Sequence, residues 1–80
     1  MALIGKFEDR PIGSGRVHTE VTCGYHWFDA QGRRILQLET YGSPEREIPG
    51  KVSQSIQLDE GAARKLMEIL RRAFPQARDS

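Results

Sequence analysis

The sequence predicts an α+β fold in which a β-sheet is followed by one C-terminal amphipathic helix. Two alternating stretches and one capped stripe carry that prediction. In Arg33–Tyr41, Leu36, Leu38 and Thr40 share one side, and Ile35, Gln37, Glu39 and Tyr41 the other. In Val52–Leu58, Val52, Gln54, Ile56 and Leu58 alternate with Ser53, Ser55 and Gln57. A period of two with one apolar face marks a half-buried strand. After Asp59, Ala63, Leu66, Met67, Leu70, Ala73 and Phe74 recur at three- and four-residue spacing, the stripe of a helix that must bury one side.

From the N-terminus, Leu3–Phe7 reads equally as an edge strand or as a frayed end. Glu8–Gly15 holds Pro11, Gly13 and Gly15 and reads as loop. Val17–Phe28 is a long strand candidate. Val17, Thr19, Val21, Cys23, Tyr25 and Trp27 lie on one side, and His18, Glu20, Thr22, His26 and Phe28 on the other. Gly24 suggests a bulge or bend within it. Asp29–Gly32 suits a four-residue hairpin loop, with Gly32 able to take positive φ. The stretch 42–51 is turn-rich, with Pro44, Pro49 and Gly50.

The helix has clear ends. Asp59 can cap the free N–H groups of the first turn, and Glu60 suits the positive end of the dipole. Glu60 with Arg64 and Glu68 with Arg72 stand four apart in the favourable order. Arg71 and Arg72 suit the negative end, and Pro75 stops the helix. The apolar face of the sheet is its natural partner.

Length and composition narrow the function classes. Eighty residues make one small domain, 1–80. A domain of this size is often marginal alone, which favours a homodimer. Cys23 is the only cysteine, so no internal disulfide forms and a reducing, cytoplasmic setting is expected. No run approaches the ~20 apolar residues of a membrane span. The first residues are too short and too soon charged for a signal peptide. Between Arg16 and Leu58 five basic residues balance five acidic ones, so no strongly basic groove is visible.

Catalytic and metal patterns are weak. His18, Cys23 and His26 form H-x₄-C-x₂-H, but on a regular strand Cys23 points away from both histidines. The histidines stand roughly 26 Å apart at strand spacing. No nucleophile elbow and no phosphate-binding glycine loop occurs. The reading is therefore non-enzymatic, with no cofactor and no metal.

What remains is a binding surface. Its ingredients are aromatic (Tyr25, Trp27, Phe28, Tyr41), polar (His26, Gln37, Ser53, Ser55, Gln57) and basic (Arg33, Arg34, Arg46, Lys51). Trp27 and Tyr41 can stack unpaired bases while Arg33, Arg34, Arg46 and Lys51 meet phosphates. Equally, Tyr25 and Trp27 can be core residues beneath the helix.

The order of motifs resembles the transcriptional coactivator family known as positive cofactor four. The resemblance rests on Ile35–Tyr41, the loop closing on Gly50-Lys51, the strand ending Ser55-Ile56-Gln57-Leu58, Asp59 and the helix beyond, from Arg33 to Leu70. It implies a curved antiparallel sheet of four strands backed by the helix, a homodimer related to Whirly proteins. It also implies non-sequence-specific binding of single-stranded DNA or melted duplex, with Arg33, Arg34, Gln37, Tyr41, Lys51 and Ser53 at matching positions. The sequence departs from the pattern at Glu39, where members often carry a base, and at Gly42, where members carry an aromatic. Two functions follow as expectations: a module for single-stranded DNA or RNA, or a protein-interaction and oligomerisation domain that binds no nucleic acid.

Overall fold

The structure, a computed structural model, describes residues 1–11, 13–42 and 52–77. Four strands, β1 (Ala2–Leu3), β2 (Cys23–Ala30), β3 (Arg33–Tyr41) and β4 (Val52–Leu58), precede helix α1 (Glu60–Ala73). They form one sheet in the order β1-β4-β3-β2, so the fold is α+β as the sequence predicts.

The three long strands are antiparallel. β1 differs, because it joins β4 in parallel at Ala2–Ile56 and Leu3–Gln57 and makes the sheet mixed. The connection from β1 to β4 runs through residues 4–51 and includes β2 and β3, well beyond the length that parallel pairing requires. Of the two readings of the N-terminus, an edge strand is present, but it spans Ala2–Leu3 and shares only Leu3 with the expected Leu3–Phe7. The Ile4 N–H extends it by donating to the Gln57 carbonyl at 2.9 Å.

β3 and β4 run as the alternation predicts, but β2 does not begin at Val17. Its ladder starts at Cys23, opposite Thr40, and the last backbone bond there runs from the Tyr41 N–H to the Thr22 carbonyl. Residues 17–21 alternate like a strand but pair with no strand among the described residues, and alternation alone does not satisfy backbone groups. The hairpin loop is two residues, not four. Gln31 and Gly32 both take left-handed φ, 52° and 74°, the turn whose twist matches its flanking strands. Gly24 makes no bulge either, since it stays in register opposite Glu39. The irregularity lies in β4, where Thr40 opposes Gln54 but Tyr41 opposes Val52, so Ser53 is the extra residue. Val52 thereby leaves the face expected for it and stands opposite Tyr41.

Directly opposed residues share a face, so the register defines two apolar rows on one side of the sheet. One is Trp27–Leu36–Leu58 and the next is Tyr25–Leu38–Ile56. α1 starts beneath the first row and meets the sheet chiefly along β4. Among the described residues only Leu58, at 2 %, and Ile35, at 5 %, count as buried hydrophobic core. Ile35 lies on the opposite face, where Phe28 opposes it and Leu3 lines the same hollow. α1 itself buries no residue completely. The expected burial of its stripe is therefore partial: Ala63, Leu66 and Ile69 are half-buried, while Met67, Leu70 and Phe74 are exposed.

The helix ends follow the sequence. Asp59 Oδ1 accepts from the Ala62 N–H at 2.9 Å, and Phe74 closes the helix before Pro75. Glu60 pairs with Arg64 at 3.6 Å, while Glu68 lies 3.4 Å from Lys65. No described helix is long and apolar enough to cross a membrane.

Candidate nucleic-acid interface

The eight predicted site residues separate into groups. Trp27, Arg33 and Arg34 converge at the hairpin end, where they line a cavity of about 480 Å³ with Leu36, Leu58 and Ala63. The tight turn at Gln31–Gly32 sets Arg34 opposite Asp29 and Arg33 opposite Ala30. Trp27 follows on the same face as Arg34 and is 58 % exposed. Its indole therefore offers an open stacking surface on the face of Arg34, while Arg33, of opposite parity, lines both this cavity and the hollow with Phe28 and Ile35.

Both cations already have anionic partners. Arg34 Nε donates to Asp29 Oδ1 at 3.0 Å, with a second, longer bond from Nη2 to Oδ2 at 3.4 Å. The hydrogen bond from Arg34, aided by charge attraction, lowers the Asp29 carboxyl below its ordinary range and raises the Arg34 guanidinium. The pair is fully solvated, so it is an exchangeable contact and not a structural lock. Arg33 Nη1 donates to Asp59 Oδ2 at 3.0 Å. Asp59 thus caps α1 with one oxygen and holds the hairpin end of β3 with the other.

Gln37 and Tyr41 lie on the opposite face. There Gln57 Nε2 donates to Gln37 Oε1 at 2.8 Å, and Gln37 Nε2 donates to Glu39 Oε1 at 2.6 Å. His26 Nδ1 stands 3.9 Å from the same Glu39 oxygen, and the His26 and Phe28 rings stack at 5.9 Å. Gln37 is therefore engaged with its neighbours, and the carboxylate of Glu39 makes this face a poor seat for phosphate. Tyr41 covers Gly24: a Cβ there would stand 2.9 Å from the Tyr41 hydroxyl oxygen. Close approach of that ring is the reason for glycine at this position. The Ser53 hydroxyl is 3.0 Å from that of Thr40, held there by the bulge. Arg46 and Lys51 lie outside the described residues.

One participant escaped the sequence reading. Asp29 is the partner of Arg34, a relation that appears once a two-residue loop is assumed, because Asp29 and Arg34 then oppose each other. Tyr25, expected among the aromatic residues of the surface, is the most exposed aromatic on the Trp27 face, two residues along β2. Cys23 falls on that face by alternation and His26 on the other, and no described group of three or more His, Cys, Asp or Glu could hold a metal ion.

In comparisons with known proteins, no family model, no curated protein and no solved structure matches this chain.

Proposed function

We propose that this chain is a small, cytoplasmic, non-enzymatic module that binds single-stranded nucleic acid without sequence preference. The observation that carries the reading is the convergence of exposed Trp27 with Arg33 and Arg34 on one open cavity. An indole face accepts any base, and guanidinium groups meet the adjoining phosphates. The reading needs no cofactor. Sequence preference is not expected, because nothing at the hairpin end presents a fixed set of donors and acceptors to a base edge.

The test is anisotropy of a labelled mixed-sequence single strand, titrated over a range of salt. Two phosphate contacts give a slope of log affinity against log salt of about −1.4 for single strands. Arg34→Ala should weaken binding and make the slope shallower by about 0.7. Asp29→Asn should act in the opposite sense, because it releases Arg34 from its competing carboxylate. If neither variant moves the slope, the assignment of Arg34 fails.

A second reading, an interaction or oligomerisation domain that binds no nucleic acid, is favoured by the two ion pairs. With Arg34 on Asp29 and Arg33 on Asp59, the hairpin end is neutral before any ligand arrives. Absence of binding by the wild type and by Asp29→Asn alike would select it.

A further inference from the structure

We infer that the open edge of β2 is a docking site for an extended segment of another protein, which joins the sheet as an antiparallel fifth strand. The inference goes beyond the nucleic-acid reading and does not need it. It starts from the strand order. The order β1-β4-β3-β2 leaves β2 paired on one side only among the described residues. The other edge of the sheet is blunted, because β1 is two residues long. β2 has eight residues and lacks the usual guards of an edge. It holds no proline and no lysine, and its register against β3 runs unbroken from Cys23 to Ala30. Its one carboxylate, Asp29, stands at the hairpin end. α1 meets the sheet chiefly along β4, with β3 between it and this edge.

The register decides which backbone groups are open. The Thr22 carbonyl accepts from the Tyr41 N–H at 3.0 Å, so Thr22 turns its backbone toward β3. Every second residue of an antiparallel pair does the same, which commits Gly24, His26, Phe28 and Ala30 to β3. Cys23, Tyr25, Trp27 and Asp29 therefore turn their N–H and C=O groups to the open side. Such pairs recur about 6.8 Å apart, a row that another extended backbone matches. The same residues place their side chains on the apolar face, where Tyr25 is 70 % exposed.

This double availability sets the chemistry of the partner. Its residues opposite Trp27 and Tyr25 lengthen the Trp27–Leu36–Leu58 and Tyr25–Leu38–Ile56 rows by one place, which favours apolar side chains there. Opposite Asp29 it favours a cation. Arg34 gives one bond to each Asp29 oxygen, so the carboxylate keeps acceptor capacity to spare. In the antiparallel sense the partner segment reads, from its N-terminus, Lys or Arg, any residue, apolar, any residue, apolar. A second copy of β2 does not supply that pattern. None of its outward-turned residues is a cation, so no edge-to-edge register sets one opposite Asp29.

The experiment adds a capped peptide, Ser-Lys-Thr-Val-Thr-Ile-Ser, to the isotope-labelled full chain and follows amide hydrogen exchange by NMR. In the free chain Gly24, His26, Phe28 and Ala30 should exchange slowly, and Cys23, Tyr25, Trp27 and Asp29 fast. Saturating peptide should slow the second set by about tenfold or more and leave the first set near its starting rates. N-methylation of the peptide Val or Ile, whose N–H groups enter the ladder, should weaken binding by about fivefold or more. N-methylation of the Thr between them, whose N–H points to solvent, should not. Glu in place of the peptide Lys should weaken binding as well. Tyr25→Pro removes one outward N–H and none of the bonds to β3, so it should weaken binding in a folded chain. The methylated peptides leave the protein unchanged, so they decide the matter even where that variant does not fold. Unchanged exchange of the four outward amides at about 1 mM peptide would overturn the inference. Equal losses from methylation at either parity would overturn it too. Protection of the outward amides that grows with protein concentration alone would give the edge to a second copy and overturn the choice of partner. Single-strand binding by a chain that ignores the peptide would defeat this inference alone. Peptide binding without single-strand binding would support it and defeat only the nucleic-acid reading.

Discussion

The two faces of the sheet are built on different terms. On one, Gln57, Gln37 and Glu39 hand hydrogen bonds along a row across β4 and β3, and Tyr41 closes over Gly24. Gln57, Gln37 and Glu39 find their partners within the chain. On the other, Tyr25, Trp27 and Ile56 stand open, although each would gain from burying its large apolar surface. The contrast teaches where this small protein spends its recognition capacity. The polar face is complete in one copy, and the apolar face and hairpin end are what the molecule offers to others.

Substitutions can break that contrast or sharpen it. The largest effect should come from Leu58→Ala. It removes the most buried side chain among the described residues and should cost about 2–5 kcal/mol, a large part of the stability of so small a domain, measured by urea unfolding. Gly24→Ala should come next. It pushes a methyl into the Tyr41 ring on the completed face and should cost about 1–3 kcal/mol. Asp59→Ala should lower stability by about 1 kcal/mol through the lost cap. The same change frees Arg33, so it should strengthen nucleic-acid binding even as it weakens the fold, a pairing of signs that damage to the site would not produce. Gln31→Gly should be the smallest, a gain of under about 1 kcal/mol, because glycine takes the left-handed conformation without penalty.

Acid should act on the open end. The Asp29 carboxyl is lowered in the folded chain, so its pairing with Arg34 stabilises at neutral pH, above the ordinary carboxylate range. That contribution is lost as pH falls through the depressed value. Protonation also releases Arg34, so the Arg34-dependent part of the salt slope should grow toward acid. Asp29→Asn should remove that dependence.

Much of this was legible in the residues. The alternation in Arg33–Tyr41 and Val52–Leu58, the Asp59 cap and the Pro75 stop report local physics, and the structure follows them. The errors fall where partners decide. Val17–Val21 alternates as well as any strand, but strand formation needs a neighbour, which periodicity does not reveal. Gln31 carries no strong left-handed signal, so the hairpin looked longer than it is. The bulge at Ser53 depends on the register between two strands. The separation of Tyr41 from Trp27 follows from parity: the odd residues of β2 share a face with the even residues of β3, so stacking by both on one strand of nucleic acid is not available on this sheet. Amphipathy of α1 says that one side must be buried, but not by which chain.

The most direct measurement of the central claim is Trp27 emission during titration with a short mixed-sequence single strand at low salt. Trp27 is the only tryptophan, so the signal has one source. Saturable quenching that fades as salt rises, and weakens in Arg34→Ala, is the predicted result. No change in emission or in anisotropy of a labelled strand up to about 100 μM protein, the weak end of non-specific binding, would contradict it.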